Sequence, residues 1–486
     1  MRKTFMGVRL KTLREQRGMT QAALAQQLQL SPSYLNQIEN NQRPLSVAVL
    51  LRLQSTLGVD LQFFSEDEEA RLMAQLHDVL AEAGGAVPRS ETQVMAQQMP
   101  AMAQALIRLH RRARDAEERV SVLSAGLGDR GGEAASAVLQ PHEEVRDFFY
   151  ARHNHIAALD ERAETIHGAV LREATRGTKK AARDTASSVK DLASRLETHL
   201  SRVHGVVTQY VLAGQGDEGT LRSFDPARRV LRVADSAEPG QRAFQLATQL
   251  AYLEAADLID VLAGEGDFNG PESRALARIG LASYFAGALV LPYAPFLGAA
   301  EALHYDIEQL AKRFAVSFET VCHRLSTLQR PSARGVPFFF VRVDRAGNMS
   351  KRQSATDFHF SRTGGTCPLW NVYEAFAQPG KVLTQLARMP DGRVYLWIAR
   401  CISRQAGGYG SPVRSFSIGL GCDLRHASRL VYAKGLDLGD PDSATPIGAG
   451  CKVCDREGCS QRAFPALGRR LQIDENERPW EPYAAI

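Results

Sequence analysis

Three cysteines near the C-terminus, in the run Cys451-Lys-Val-Cys454-Asp-Arg-Glu-Gly-Cys459, have the spacing in this chain best suited to metal chemistry. Two thiols three residues apart can converge on one ion, and Gly448, Gly450 and Gly458 let the backbone fold tightly about it. Cys422, in a Gly-Leu-Gly-Cys turn upstream, is a candidate fourth ligand, with Cys367 and Cys401 in reserve. Cys322 reads as a buried helical residue. Four thiolates suit structural zinc or an iron–sulfur cluster, and the spacing does not choose between these and unmetallated thiols. A second constellation lies in residues 324–362, where eight basic side chains, Arg342, Arg345, Lys351, Arg352 and Arg362 among them, face two acids. Phe338, Phe339, Phe340, Phe358 and Phe360 are interleaved with them. Such a patch suits a phosphate-rich ligand with apolar parts, and a solvated basic face over a phenylalanine core fits equally well. A third set, Ser33, Tyr34, Asn36 and Gln37, has the side-chain types that read base edges and phosphates in a major groove.

The third set needs a helix-turn-helix to present it, and every boundary of one is marked. Thr20 is a good N-cap for a short helix with Leu24, Ala25 and Leu28 on its apolar face. Leu30 and Ser31 close the turn, and Ser31-Pro32 supplies a second N-cap with proline at the first helical position. The second helix buries Leu35 and Ile38 and leaves the polar set outward. Residues 1–60 hold eight Lys/Arg against three acids, a net +5 equal to that of the whole chain, so the remaining residues balance at zero. A basic head on a neutral body is the electrostatic footprint of a phosphate-binding module.

At 486 residues the chain is too long for one core. Residues 1–64 form the DNA-binding head. Residues 65–140 are a helical linker or dimerisation region, with Leu72, Leu76 and Leu80 at helical spacing and a Gly-rich hinge at 126–135. Residues 141–330 read as overwhelmingly helical, and residues 331–486 as α+β, with PFFFVRVDRAG and RVYLWIARCIS as strands and RSFSIGLGCDL as a weaker one. The most apolar stretch, LASYFAGALVLPYAPFLGAA, contains two prolines and reads as a buried helix and loop, so no membrane partner is expected. No signal peptide is apparent, and seven cysteines in a reducing cytoplasm point to metal or redox use rather than disulfides. His153 and His155 lie on different helix faces, which disfavours a ligand pair. FAVSFETVCHRL, which mimics a second helix-turn-helix, lacks a basic surround and reads as core.

The head resembles the Cro/repressor-like, xenobiotic-response-element class of helix-turn-helix, a five-helix lambda-repressor-like fold. That resemblance adds Gln21 and Arg43 to the DNA-facing set, which is then Gln21, Ser31, Ser33, Tyr34, Asn36, Gln37 and Arg43. The stretch QRAFQLATQLAYLE (241–254) resembles the active-site helix of ImmA/IrrE-type zinc metallopeptidases, with Phe244 and Ala247 in place. The two zinc-binding histidines and the glutamate base fall on Thr248, Tyr252 and Gln249, which can neither hold zinc well nor accept a proton. Ile279 and Leu281 stand where the downstream acid is wanted. No catalytic residue is expected.

PHEEVRDFFY (141–150), GVPFFFVRVDRAGNMSKRQSATDFHFSRTGGTCPLWNVYEAF (335–376), FSIGLGCDL (416–424) and PIGAGCKVCDREGCSQRAFP (446–465) resemble the short-chain fatty acyl transcriptional regulators. The resemblance implies a cytoplasmic, sequence-specific DNA-binding regulator that senses a short-chain acyl-coenzyme A of the propionyl or acetyl type. It also implies control of methylcitrate or glyoxylate genes and tilts the cysteines toward a 4Fe–4S cluster, with zinc the alternative. Since one head alone binds weakly, a homodimer or homotetramer on operator DNA is expected. Two rivals are a metal or redox sensor using the cysteines, and an active zinc peptidase, which the absence of any His-Glu-x-x-His disfavours.

Overall fold

Four short helices open the chain, and side-chain caps start the second and third. They are α1 (Gly7–Gln16), α2 (Gln21–Gln27), α3 (Pro32–Glu39) and α4 (Val47–Leu57). The Thr20 hydroxyl accepts the Ala23 N–H at 3.2 Å and the Ser31 hydroxyl accepts that of Tyr34 at 3.1 Å, with Pro32 opening α3. Leu10, Leu24, Leu28, Leu35, Ile38 and Leu53 close one core beneath them. Gly7 lies so near α3 that a Cβ there would come within 1.9 Å of the Ile38 carbonyl oxygen. These are four of the five helices expected of the head; residues 58–65 lie outside those described.

The computed structural model describes residues 6–57, 66–82, 87–110, 112–113, 141–175, 189–211, 220–355, 367–405, 410, 413–448, 450–451, 454, 456–465, 471, 473 and 476. Contacts divide the chain into two compact units: Met1–Ala137 with Asp357–Cys367 and Gly448–Ile486, and Val138–Thr356 with Pro368–Ile447. In the first unit, α5 (Glu66–Glu82) and α6 (Arg89–Gln98) bury Leu72, Leu76, Val79 and Ala96 with Ala103 and Ile107 in a small core of their own. The expected hinge at 126–135 lies outside the described residues.

The second unit opens with α7 (Pro141–Tyr150), α8 (Ala157–Thr175) and α9 (Val189–His204). A three-stranded sheet follows, which corrects the expectation of an almost wholly helical middle. Its strands are β1 (Val207–Val211), β2 (Arg222–Asp225) and β3 (Val230–Ala234), in the order β1-β3-β2. They are four or five residues long and studded with Thr, Gln, Arg, Ser and Asp, so no apolar run announces them. Then come α10 (Pro239–Glu254), α11 (Ala256–Gly264), α12 (Pro271–Val290), α13 (Tyr293–Ala302), α14 (Ile307–Phe314) and α15 (Phe318–Leu325). The apolar stretch forms α12 and α13, bent by 63°. No single described helix is long and apolar enough to cross a membrane, although this bent pair passes by length and composition. Ile307, Leu310, Phe318, Val321 and Leu325 sink α14 and α15 into the core, as expected of the helix-turn-helix mimic.

A six-stranded sheet completes the unit: β4 (Phe339–Val343), β5 (Met349–Ser354), β6 (Val382–Arg388), β7 (Val394–Gln405), β8 (Val413–Asp423) and β9 (Thr445–Pro446), in the order β5-β4-β8-β7-β6-β9. The strand that looked weak in sequence, β8, is central and paired on both sides. Gly421 belongs there because a Cβ would sit 2.0 Å from the Phe339 ring. One core runs from Leu200, Leu250 and Phe285 to Phe338, Phe340, Leu396 and Leu420. It crosses the boundary placed at residue 330, so helices and sheet bury their apolar faces on each other.

Candidate functional site

In the head, Asn36 and Ser33 are exposed on α3, and Tyr34 and Gln37 are partly so, while Leu35 and Ile38 hold the helix from behind. Gln21 donates to the Asn36 side-chain oxygen at 3.2 Å and to Glu39 at 3.0 Å, and Asn40 donates to the same Asn36 oxygen at 2.9 Å. Arg14 forks onto the buried Glu39 at 2.8 and 3.1 Å, tying α1 to α3. The Glu39 hydrogen bond holds the Arg14 pKa above its ordinary value. Arg52 caps the C-terminal end of α2 through the Leu28 and Gln29 carbonyls at 3.0 and 3.2 Å. Arg43, in the following loop, stands 5.4 Å from the Tyr34 ring centre. The Ser31 hydroxyl accepts the capping N–H and, being exposed, still has its own O–H to donate. The remaining candidates form one outward polar face with its backbone orientation locked from beneath, the geometry that lets a helix enter a major groove.

The peptidase-like helix α10 contains no catalytic set at the three family positions. The Thr248 hydroxyl donates to the Phe244 carbonyl at 2.7 Å, and Gln249 accepts a hydrogen bond from Arg222 on β2. The same guanidinium lies 5.5 Å from the Tyr252 ring centre. Burial lowers the Arg222 pKa and raises that of Tyr252. A fixed positive group therefore stands on the face where a peptidase binds zinc, and it opposes a cation there. Ile279 is exposed on α12 and Leu281 is buried.

The body also carries a buried ion pair that the sequence did not single out. Arg324 of α15 donates to Asp160 of α8 at 2.6 Å, and the Tyr284 hydroxyl of α12 donates to the other Asp160 oxygen at 2.7 Å. His155 approaches the same carboxylate at 3.2 Å, as a core residue. Burial alone would raise the Asp160 carboxyl, yet the Arg324 charge and these hydrogen bonds hold it well below the usual range. Three helices are joined through one carboxylate, to which Tyr284 and Arg324 come from 124 and 164 residues downstream.

Of the basic patch, Arg342 on β4 and Lys351 on β5 both reach Glu319, at 3.0 and 3.4 Å, and Arg342 lies 4.7 Å from the Phe416 ring centre. Arg345 lies 6.0 Å from that of Phe376. Arg352 is on β5, and Arg362, Phe358 and Phe360 lie outside the described residues. Phe338, Phe339 and Phe340 are wholly buried and serve the core, not the walls of a pocket. The patch is thus partly neutralised from α15.

Cys451 and Cys454 are buried and Cys459 is partly so. Arg462, itself buried, donates to the carbonyls of Cys451 and Cys454 at 3.3 and 3.2 Å. Gly448 makes room for the loop, since a Cβ there would come 2.5 Å from the Cys454 sulfur. Burial pushes the Cys454 thiol up. Soft thiol donors in a glycine-cradled loop have the right chemistry for zinc or an iron–sulfur cluster. Cys422 belongs to the other compact unit, opposite Leu396 in the β7–β8 ladder, and its burial raises its thiol strongly. Among the described residues, the three side chains whose ligand atoms lie within 4.8 Å of one another are His199, His204 and Glu254, not the thiols.

A positively charged, capped helix-turn-helix and a peptidase-like helix stripped of its chemistry define a DNA-binding regulator. Helix-turn-helix, IrrE N-terminal-like and short-chain fatty acyl coenzyme A regulator C-terminal domains match residues 10–64, 202–326 and 327–483 in turn. The HTH-type transcriptional regulator RamB of Mycobacterium tuberculosis is 51% identical over 99% of both chains. PrpR of the same organism is 47% identical over 99% of this chain and 96% of its own. The propionyl-CoA carboxylase regulator of Cereibacter sphaeroides is 43% identical over 100% of this chain and 99% of its own. A solved Mycobacterium tuberculosis transcriptional regulator is similar to this structure at a TM-score of 0.64 and 50% identity, covering 71% of this chain and all of that one. The chain belongs to the family of short-chain fatty acyl coenzyme A transcriptional regulators, and its role is regulatory rather than enzymatic.

Proposed function

We propose that the protein is a cytoplasmic regulator of short-chain fatty acid catabolism that binds operator DNA through α3 and answers to a propionyl- or acetyl-type acyl-coenzyme A. The observation that carries this reading is full-length similarity to transcriptional regulators, one of them a propionyl-CoA carboxylase regulator, joined to a head with an outward polar recognition helix. The mechanism is linkage: the acyl thioester favours one arrangement of the body, and that arrangement sets the spacing of two heads on a roughly palindromic site. The assembly on DNA is a homodimer or homotetramer. The basic side chains around Arg345, Lys351 and Arg352 are the candidates for its phosphates. Methylcitrate or glyoxylate pathway genes are the output.

Cys451, Cys454 and Cys459 hold a 4Fe–4S cluster or, as the alternative, zinc, and Cys367 is the remaining cysteine of the same compact unit. When bound, the metal crosslinks the loop that Arg462 already braces. Selecting genomic fragments with the purified full-length protein, with and without propionyl-coenzyme A, tests the assignment. Enrichment of promoters of short-chain acid genes, changed by the thioester, supports it. Enrichment of unrelated promoters, or of none, counts against it.

A further inference from the structure

One cluster of metal-ligating side chains lies off every site considered so far. His199 and His204, in the last turns of α9, both bring Nε2 to the same oxygen of Glu254, the last residue of α10, at 2.6 and 2.8 Å. Their rings are 6.1 Å apart at 67°, and all three ligand atoms lie within 4.8 Å of one another. His199 is buried, while His204 and Glu254 are partly open to solvent. We propose that His199, His204 and Glu254 form a three-donor site for a divalent transition ion, zinc above all, with a fourth position open toward solvent.

The chemistry and the scaffold both favour this assignment. Two imidazoles and a carboxylate are a zinc donor set that leaves one position for water or an anion. Tetrahedral zinc wants donors about 3.3 Å apart at bond lengths of about 2.0 Å. Small side-chain rotations at the two part-exposed residues supply that widening. The backbone is held from outside the site. Arg162 donates twice to the Glu254 carbonyl, at 3.2 and 2.7 Å, and Arg229 to the His204 carbonyl at 2.5 Å. Gly205 ends α9 in the left-handed region at φ 62°, which turns the chain away just after the second histidine. These arginines are occupied by carbonyls.

The site is separate from the lost peptidase centre. Glu254 is two residues beyond Tyr252, hence roughly 200° around the helix from it at 3.6 residues per turn. Arg222 guards the Gln249 and Tyr252 face, while the three donors are on the other. An ion here would fasten the end of α9 to the end of α10.

The test is a cobalt(II) titration of untagged, chelator-stripped full-length protein. A histidine–carboxylate site gives visible d–d bands without sulfur-to-cobalt charge transfer, whereas a cysteine site gives both. The expected result is one equivalent with the nitrogen–oxygen signature, retained in the Cys451→Ser/Cys454→Ser variant and displaced by zinc. Affinity should fall at least about tenfold in His204→Gln and in Glu254→Gln, each checked for native circular dichroism. Absence of that signature in the Cys451→Ser/Cys454→Ser variant, where no thiol band can mask it, overturns the proposal, leaving a hydrogen-bonded cluster only. So does a signature that survives both substitutions.

Discussion

At the scale of single residues, the proposed function assigns base recognition to α3 and phosphate contact to its loop. Asn36 and Gln37 face outward, so Asn36→Ala or Gln37→Ala should relax operator specificity at a cost of about 1–3 kcal/mol per lost base contact. Arg43 lies beside Tyr34 off the helix, so Arg43→Ala should weaken all sequences alike and flatten the salt dependence. Fluorescence anisotropy across operator variants and salt concentrations distinguishes the two behaviours, and equal effects on every sequence from all three changes would refute the division. Asp160 and Arg324 make the opposite kind of prediction. Both are buried, and removing one partner strands the other's charge, so Arg324→Ala should cost about 3–5 kcal/mol in denaturant unfolding.

At the scale of elements, helix starts were legible because capping is local: Thr20, Ser31 and Pro32 announce their roles within three residues of where they act. The β1–β3 sheet was not, because its strands are short and half polar. Nor was the site at His199, His204 and Glu254, since Glu254 lies 55 and 50 residues beyond the two histidines, across the α9–α10 pairing. The triple phenylalanine of β4 and the basic residues around it were ambiguous in sequence. Burial resolves the former as core, and Glu319, on a helix far upstream, takes up Arg342 and Lys351. Close packing within the sheet yields a further test. Gly421→Ala would drive a methyl group into the Phe339 ring, and an overpacking loss of about 1–3 kcal/mol should appear in thermal unfolding. A neutral outcome would mean that β4 and β8 are less tightly joined than the ladder indicates.

At the scale of the whole molecule, the division of charge gives the account its shape: a head of +5 on a body that sums to zero. The body is nonetheless acid-sensitive. Burial pushes the His323 pKa down to about 3, below the ordinary value near 6.5 that the unfolded chain restores. The unfolded state therefore takes up a proton first as pH falls, and stability declines between about 6.5 and 3 with a limiting slope near 1.4 kcal/mol per pH unit for this group. Asp160 and Glu254, whose carboxyls are lowered, stabilise the fold above their unfolded values and lose that contribution as pH falls toward their folded ones. All three act in the same direction in successive windows, His323 from about pH 6.5 downward, Glu254 from about 4.5 and Asp160 from about 3.8, so urea midpoints should fall from about pH 6.5 and more steeply below pH 4.5. His323→Gln should flatten the upper part of that decline.

In the proposed function, the DNA-reading head is governed by a body that binds an acyl thioester instead of cutting peptides. The most direct measurement is the affinity of the full-length protein for a selected operator, followed by anisotropy while propionyl-coenzyme A is titrated and free coenzyme A serves as control. A change of roughly fivefold or more is expected with the thioester, in the range of ordinary allosteric coupling, and a smaller one with the control. An affinity that stays constant up to millimolar thioester would contradict it.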